Sequence, residues 1–170
     1  MLDCGKGKSD LEDLGSLKAK GTYTLVIFIP VELDVMVGGL GMQRFCEGYY
    51  TYTGSAFGSG ASNLGRRICR HLTKGKRKRW HIDYLLSENN VIVVAVITAD
   101  TEKRMECEIN NHLREKLQAK LPVPRFGASD CKENCGSHLL YLGSDANVVR
   151  RIVEIYSRKT KAKIRLLKVH

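Results

Sequence analysis

One long stretch of this chain has no acidic residues. Between Glu47 and Asp83 there is no Asp or Glu, although 18 are spread over the 170 residues. No Cys-x-x-Cys pair occurs, which removes the usual zinc-ribbon spacing. The opening "MLDCGKGKSDLEDLG" lacks the apolar core of a secretory signal. No apolar run approaches membrane-spanning length. Repeats, low-complexity tracts and long linkers are missing too. Proline is scarce, and each of Pro30, Pro122 and Pro124 sits where an element is predicted to stop. These absences argue against membrane, fibrous and secreted classes. They leave a cytoplasmic chain whose six cysteines (Cys4, Cys46, Cys69, Cys107, Cys131 and Cys135) are mostly reduced.

What is present fits one domain. The 43% hydrophobic content suits a globular core, and 170 residues can bury one without disulfide support. Residues 1–20 read as an N-terminal leader, with a short helix possible around "SDLEDLGSLKAK" and Ser9 as its cap. Residues 21–170 read as one domain, with a core over 21–120 and a C-terminal extension over 121–170. β-Branched and aromatic residues predict strands at "GTYTLVIFIP", "ELDVMV", "CEGYYTYTG", "VIVVAVITAD" (as a central strand), "HLLYLG" and "AKIRLLKVH". Helical spacing predicts helices over 62–73, with Leu64, Ile68 and Leu72 on one stripe, and over 101–120, with Met105, Ile109, Leu113 and Leu117. A third helix is predicted in "SDANVVRRIVEIYSRK". The expected fold is α+β: a small, mostly antiparallel central sheet flanked by helices, with a C-terminal strand–helix extension.

The net charge is +10 and it is concentrated. Arg66, Arg67, Arg70, Lys74, Lys76, Arg77, Lys78 and Arg79 all lie in the acid-free span. Such a surface suits a phosphate backbone, which binds by charge neutralisation and counterion release. Trp80 ends the run and offers a stacking face, and His81 follows it. A solvated lysine-rich loop is the plainer alternative. It accounts less well for a helix without glutamates to pair its arginines. The expected partner is nucleic acid rather than a membrane.

Hydrolysis of a phosphodiester needs a group to activate water, a cation to hold the developing charge, and usually a metal ion. Tyr23 and Tyr52 fall on neighbouring predicted strands, and Arg67 and His71 on the border of the basic helix's apolar stripe. Glu106 is the most telling candidate. On a wheel anchored at Met105, Ile109, Leu113 and Leu117 lie at about 40°, 80° and 120°, and Glu106 at about 100°, inside the apolar arc. A carboxylate aimed at a core is costly unless it is paired or binds a metal. An ordinary buried ion pair and a magnesium ligand both satisfy that requirement.

"GTY" at 21–23, "YTG" at 52–54, the N-L-x-x-R-x-x-x-H run at 63–71 and a later helical glutamate follow one another in an order that resembles the GIY-YIG nuclease superfamily. The resemblance covers roughly residues 21–118. It implies that Gly21 and Tyr23 form the first motif, Tyr52 and Gly54 the second, Arg67 the essential arginine and His71 a frequent histidine. It also implies that Glu106 holds one divalent metal, Mg2+ or Mn2+, in an endonuclease acting on DNA more readily than RNA. Two features depart from the pattern. Threonine replaces the usual isoleucine or valine in both motifs, and "VELDVMVGGLGMQRF" lengthens the connection between them. A non-catalytic nucleic-acid-binding module on the same fold is the alternative, and a basic protein-interaction domain a third reading.

Two further groups stand out. His81 and Asp83 in "WHIDYL" share a face if extended, where they could contact substrate or shuttle a proton; a turn into a packed segment is the other reading. Cys131, Cys135 and His138 could bind zinc with a fourth ligand from elsewhere; loop packing is the alternative.

Overall fold

The computed structural model describes residue 17 and residues 20–59, 63–129, 131–133 and 135–169. The expected leader helix lies outside the described residues.

Five strands form the main sheet: β1 (Gly21–Ile29), β4 (Gly48–Ala56), β5 (Ile92–Ala99), β6 (Leu139–Gly143) and β7 (Ile164–Lys168). Their order is β6-β4-β1-β5-β7, and every pairing is antiparallel. The strand predicted as central, β5, is interior, while β1 occupies the middle. A separate hairpin pairs β2 (Leu33–Met36) with β3 (Met42–Phe45) through a 3-10 turn at Gly38–Leu40. It accommodates the long connection between the two tyrosine motifs. The C-terminal extension completes the sheet of the single domain: β6 pairs with β4 and β7 with β5 on its two edges.

Alternation along the strands sends side chains to two cores. One face carries Tyr23, Leu25, Ile27, Tyr50 and Tyr52 and packs against helix α1 (Leu64–Leu72) and helix α2 (His81–Leu86). The other carries Val26, Ala95, Ile97 and Ala99 and packs against α3 (Glu106–Leu117) and α4 (Val148–Lys159). The predicted helical stripes face the two cores: Leu64 and Ile68 are buried and Leu72 half-buried in the first, and Met105, Ile109, Leu113 and Leu117 are buried in the second. Full burial of each such side chain contributes about 1.5–3 kcal/mol.

Asn63 caps α1 by accepting a hydrogen bond from the Arg66 amide at 2.9 Å. Residues 81–86, read as extended or as a turn, are a helix, so His81 and Asp83 do not share a strand face. α3 is shorter than the predicted 101–120. It ends at Gln118, whose left-handed backbone (φ 52°) turns the chain before Pro122 is reached.

The start of α3 is set by the sheet. The Met105 amide donates to Thr22 Oγ1 at 3.3 Å, so a strand hydroxyl satisfies one of the helix's orphan donors. Glu106 is therefore the first helical residue, at the positive end of the helix dipole.

Candidate active site

β6 pairs with β4 only over Tyr49–Tyr52. Beyond it, at the end of β4, lies a cavity of about 160 Å³. Tyr23, Tyr52, Arg67, His71 and Glu106 all line it, so the structure brings together all five residues predicted to be catalytic. Gly54, Ser55, Trp80, Arg104, Gly127 and His138 complete the wall.

Strand register explains the two phenols. Tyr23 pairs with Gly54, and Tyr52 lies two residues before Gly54 on the same face. A Cβ on Gly54 would sit 2.6 Å from the Tyr23 hydroxyl oxygen, so the motif glycine makes room for the phenol of the opposite strand. Gly127 does the same for Tyr52: its Cβ would lie 2.6 Å from the ring, and its φ of +69° disfavours a side chain.

Tyr23 is 1% exposed and shares a 2.8 Å hydrogen bond with His71 Nε2. Burial, followed by the neighbouring Tyr52, raises the Tyr23 pKa well above 10, partly opposed by Arg67. His71 is equally buried. Burial first, then the cations Lys76, Arg67 and Arg70, pulls its pKa down to about 3. The resting pair is a neutral phenol against a neutral imidazole.

The polarity of the network around Glu106 follows from the chemistry of a carboxylate, which only accepts. Ser55 donates its hydroxyl hydrogen to Glu106 Oε2, forming a very short contact. Ser55 Oγ lies 2.9 Å from Thr22 Oγ1, so Thr22 donates to Ser55 while accepting from the Met105 amide. The chain Met105 N–H, Thr22, Ser55, Glu106 thus runs in one direction and fixes the carboxylate against the sheet. The threonine that departs from the usual motif residue is a working member of this chain. The second carboxylate oxygen lies 3.6 Å from the exposed Arg104.

Arg67 donates to the Ser55 carbonyl at 3.2 Å, and its guanidinium lies 5.0 Å from the centre of the Trp80 ring. Arg70 lies 4.7 Å from the same ring and donates to Asp83 Oδ2 at 2.5 Å. That fully buried oxygen also accepts from the Arg79 and Trp80 amides at 2.9 and 3.1 Å. Asp83 therefore anchors the tryptophan that backs Arg67. His81 Nδ1 accepts from the Gly127 amide at 3.1 Å, tying α2 to the loop under Tyr52.

The basic residues divide into two sets. Lys74 donates to the carbonyls of Leu86 and Glu88, and Lys76 to those of His71 and Thr73. With Arg70 committed to Asp83, these three close the C-terminal end of α1 and join it to α2. Burial also lowers the Lys76 pKa to about 8. Arg66, Arg77, Lys78 and Arg79 are exposed, and Lys78 sits 5.2 Å from the Tyr84 ring centre.

Cys131, Cys135 and His138 converge, and the fourth donor is Cys107 on α3. Sequence reasoning missed Cys107, Ser55, Arg104 and Gly127. Cys107 lies on a side of α3 with Asn110, off the apolar stripe, yet both are buried, which only the fold reveals. Asn110 donates to the Ser137 carbonyl at 2.7 Å, so the loop before β6 covers that side. Among the described cysteines, Cys46, Cys107, Cys131 and Cys135 are free. No described helix is long and apolar enough to cross a membrane.

Residues 22–161 match the family described as "Domain of unknown function DUF123", and the chain belongs to that family. Neither a curated protein nor a solved structure matches the chain.

Proposed function

We propose that this cavity is the active site of a metal-dependent endonuclease of the GIY-YIG type, which hydrolyses phosphodiester bonds in DNA. One observation carries the reading. Two phenols, a guanidinium, an imidazole and a carboxylate from β1, β4, α1 and α3 line a single cavity. Within it Glu106 is paired with the exposed Arg104 at 3.6 Å, while Arg67 is held by the Ser55 carbonyl rather than by the carboxylate.

The donor set fits a divalent ion of the magnesium class. Such ions keep several waters and take one or two carboxylates plus substrate phosphate. Glu106 supplies the carboxylate, its side chain 16% exposed and held by Ser55. When bound there, the ion would polarise the scissile phosphate. Arg104, 63% exposed, is free to leave Glu106 for a phosphate oxygen.

The chain's own groups supply the rest. Arg67, braced by Trp80 and the Ser55 carbonyl, presents its remaining N–H groups to the non-bridging oxygens. Tyr23 takes a proton from the attacking water while its own proton passes to His71 Nε2. Hydroxide forms the new P–O bond, the bond to the leaving oxygen breaks, and solvent water returns a proton to that oxygen. His71 is a weak base at rest because it is buried and because three cations, Lys76, Arg67 and Arg70, act on it. An anionic phosphate offsets those cations, so substrate itself raises the basicity of the imidazole. Tyr52 orients the group opposite Tyr23.

The cavity has room for a phosphoryl group and a few waters but not for a nucleoside, so the strand must run across the outer surface. Exposed Arg66, Arg77, Lys78 and Arg79 suit that path.

The test is incubation of branched, nicked, single- and double-stranded DNA, and of RNA, with Mg2+, Mn2+ or chelator. Metal-dependent cleavage that Glu106→Gln and Arg67→Ala each reduce by ~10²-fold or more is the expected result. Full cleavage by either variant refutes the assignment. Salt-sensitive binding without cleavage of any substrate would make the chain a binding module instead.

A further inference from the structure

The geometry points to a second, structural metal site: a tetrahedral Zn2+ held by Cys107, Cys131, Cys135 and His138. It stands apart from the hydrolase reading, since it requires nothing of the cavity's chemistry. Sγ of Cys107 lies 3.2 Å from that of Cys131 and 3.4 Å from that of Cys135. Cys131 and Cys135 are 3.2 Å apart, and His138 Nε2 is 3.6 Å from Cys107 Sγ. All four donor atoms lie within 4.8 Å of one another.

Zinc bonds of about 2.3 Å to sulfur and 2.0–2.1 Å to nitrogen make tetrahedral edges of about 3.6–3.8 Å. The three sulfur–sulfur edges need about 0.4–0.6 Å of expansion and the His138–Cys107 edge already fits, while the edges from His138 to Cys131 and Cys135, within 4.8 Å, would close by up to about 1.2 Å. A disulfide explains them less well. Its sulfurs sit about 2.05 Å apart, and it joins two thiols, leaving a third against the pair. Plain packing does not call for an imidazole nitrogen turned toward three mutually touching sulfurs. Three soft thiolates and one imidazole select Zn2+ over Mg2+ or Ca2+. Four protein ligands leave no open position, which marks a structural site rather than a catalytic one. On binding, the three thiols release three protons to solvent, and the complex carries a net charge of −1.

The ion would clasp two parts of the chain that the cavity depends on. Cys107 directly follows Glu106 on the first turn of α3. His138 accepts from the Thr53 amide on β4 at 3.1 Å through its carbonyl, and its own amide donates to the Phe126 carbonyl at 2.9 Å. Gly127, beneath Tyr52, is the next residue along. One ion thus ties the carboxylate's helix to the loop that supports the second phenol, a cross-link this domain otherwise makes through Asn110 and Ser137.

Metal analysis of the full chain purified without added metal should find close to one zinc per chain. Replacement by Co2+ should give the visible absorption of a tetrahedral site with thiolate charge-transfer bands. Cys107→Ser should weaken zinc binding by more than ~10²-fold, beyond the cost of losing an outer-shell partner. Cys46→Ser, at an exposed free thiol, should leave it unchanged. Glu106→Gln should keep its zinc, which separates failure of this site from failure of the proposed hydrolase. Zinc far below one per chain, with no tetrahedral cobalt spectrum, overturns the site whether or not any variant folds. Unchanged affinity in a folded Cys107→Ser protein overturns the four-ligand assignment.

Discussion

His71 should make the fold lose stability on acidification by an amount that follows from its surroundings. Its imidazole meets the Tyr23 hydroxyl at 2.8 Å, and the rings of Tyr52 and Trp80 pack around it. Its Nδ1 is buried and has no partner among the described residues. The charged groups acting on it are Lys76, Arg67 and Arg70, all positive. Burial, reinforced by those cations, holds its pKa near 3, against 6.5 for an unhindered histidine. Above pH ~6.5 the imidazole is neutral in both states and contributes no pH dependence. Below that, the unfolded chain takes up a proton that the folded chain refuses until pH approaches the folded value. Stability is therefore full above the unfolded pKa and falls by about 1.4 kcal/mol per pH unit beneath it. Between about pH 8 and about pH 4.5 the loss is about 2–3 kcal/mol.

His71→Gln keeps a hydrogen-bonding group beside Tyr23 and removes the titration. Urea unfolding of both proteins across that range isolates the effect, because every other titrating group cancels in the comparison. The variant starts lower at neutral pH but should lose about 2–3 kcal/mol less on the way to about pH 4.5. Parallel curves would refute the reasoning. They would mean that the folded protein lets His71 take up a proton about as readily as the unfolded chain does.

Arg67→Lys keeps the charge but loses the planar fork that reaches both the Ser55 carbonyl and a phosphate. On the substrates the wild type cleaves, kcat should fall by ~10²–10³-fold with KM little changed; steady-state kinetics checks it. Thr22→Val is nearly isosteric but strips the Met105 amide and Ser55 of a partner. It should cost about 1–3 kcal/mol in urea unfolding. Arg79→Ala should leave the melting temperature alone while reducing the salt slope of DNA binding by ~1. Lys74→Met should do the reverse, because its ammonium is spent on the Leu86 and Glu88 carbonyls.

Most strands were legible because alternation is local: β1, β4 and β5 fall where β-branched residues cluster, whereas β3, the short MQRF strand that pairs with β2, went unpredicted. The convergence of Tyr23 with Tyr52 followed from two short motifs on adjacent strands. What the sequence concealed was set by contacts across long stretches of chain. The start of α3 depends on a hydroxyl 83 residues away, so periodicity alone placed Glu106 inside a longer helix. α2 is six residues long, too short to show a helical period, and Asp83 reads as a possible shuttle until its bonds to Arg70, Arg79 and Trp80 are seen. The basic run reads as uniform surface charge until Lys74 and Lys76 are found bonded to carbonyls. Cys107 lies 24 residues from the nearest cysteine of its cluster, and no spacing rule joins them.

Ser55 shows how the site holds Arg67 away from Glu106, whose carboxylate is left to the exposed Arg104 at 3.6 Å. A guanidinium and a carboxylate in one cavity attract, and direct pairing of Arg67 with Glu106 would close the space a phosphate must enter. Here a single residue of β4 engages both. Its hydroxyl holds Glu106, and its carbonyl holds Arg67. Side chain and carbonyl leave a strand in different directions, the one out of the sheet and the other within it. The serine is itself fixed by its register opposite Thr22. The gap between the two charges is thus bounded by two atoms of one strand residue, to each of which one side chain is tied by a hydrogen bond. On the proposed reading, that gap is what admits the phosphate.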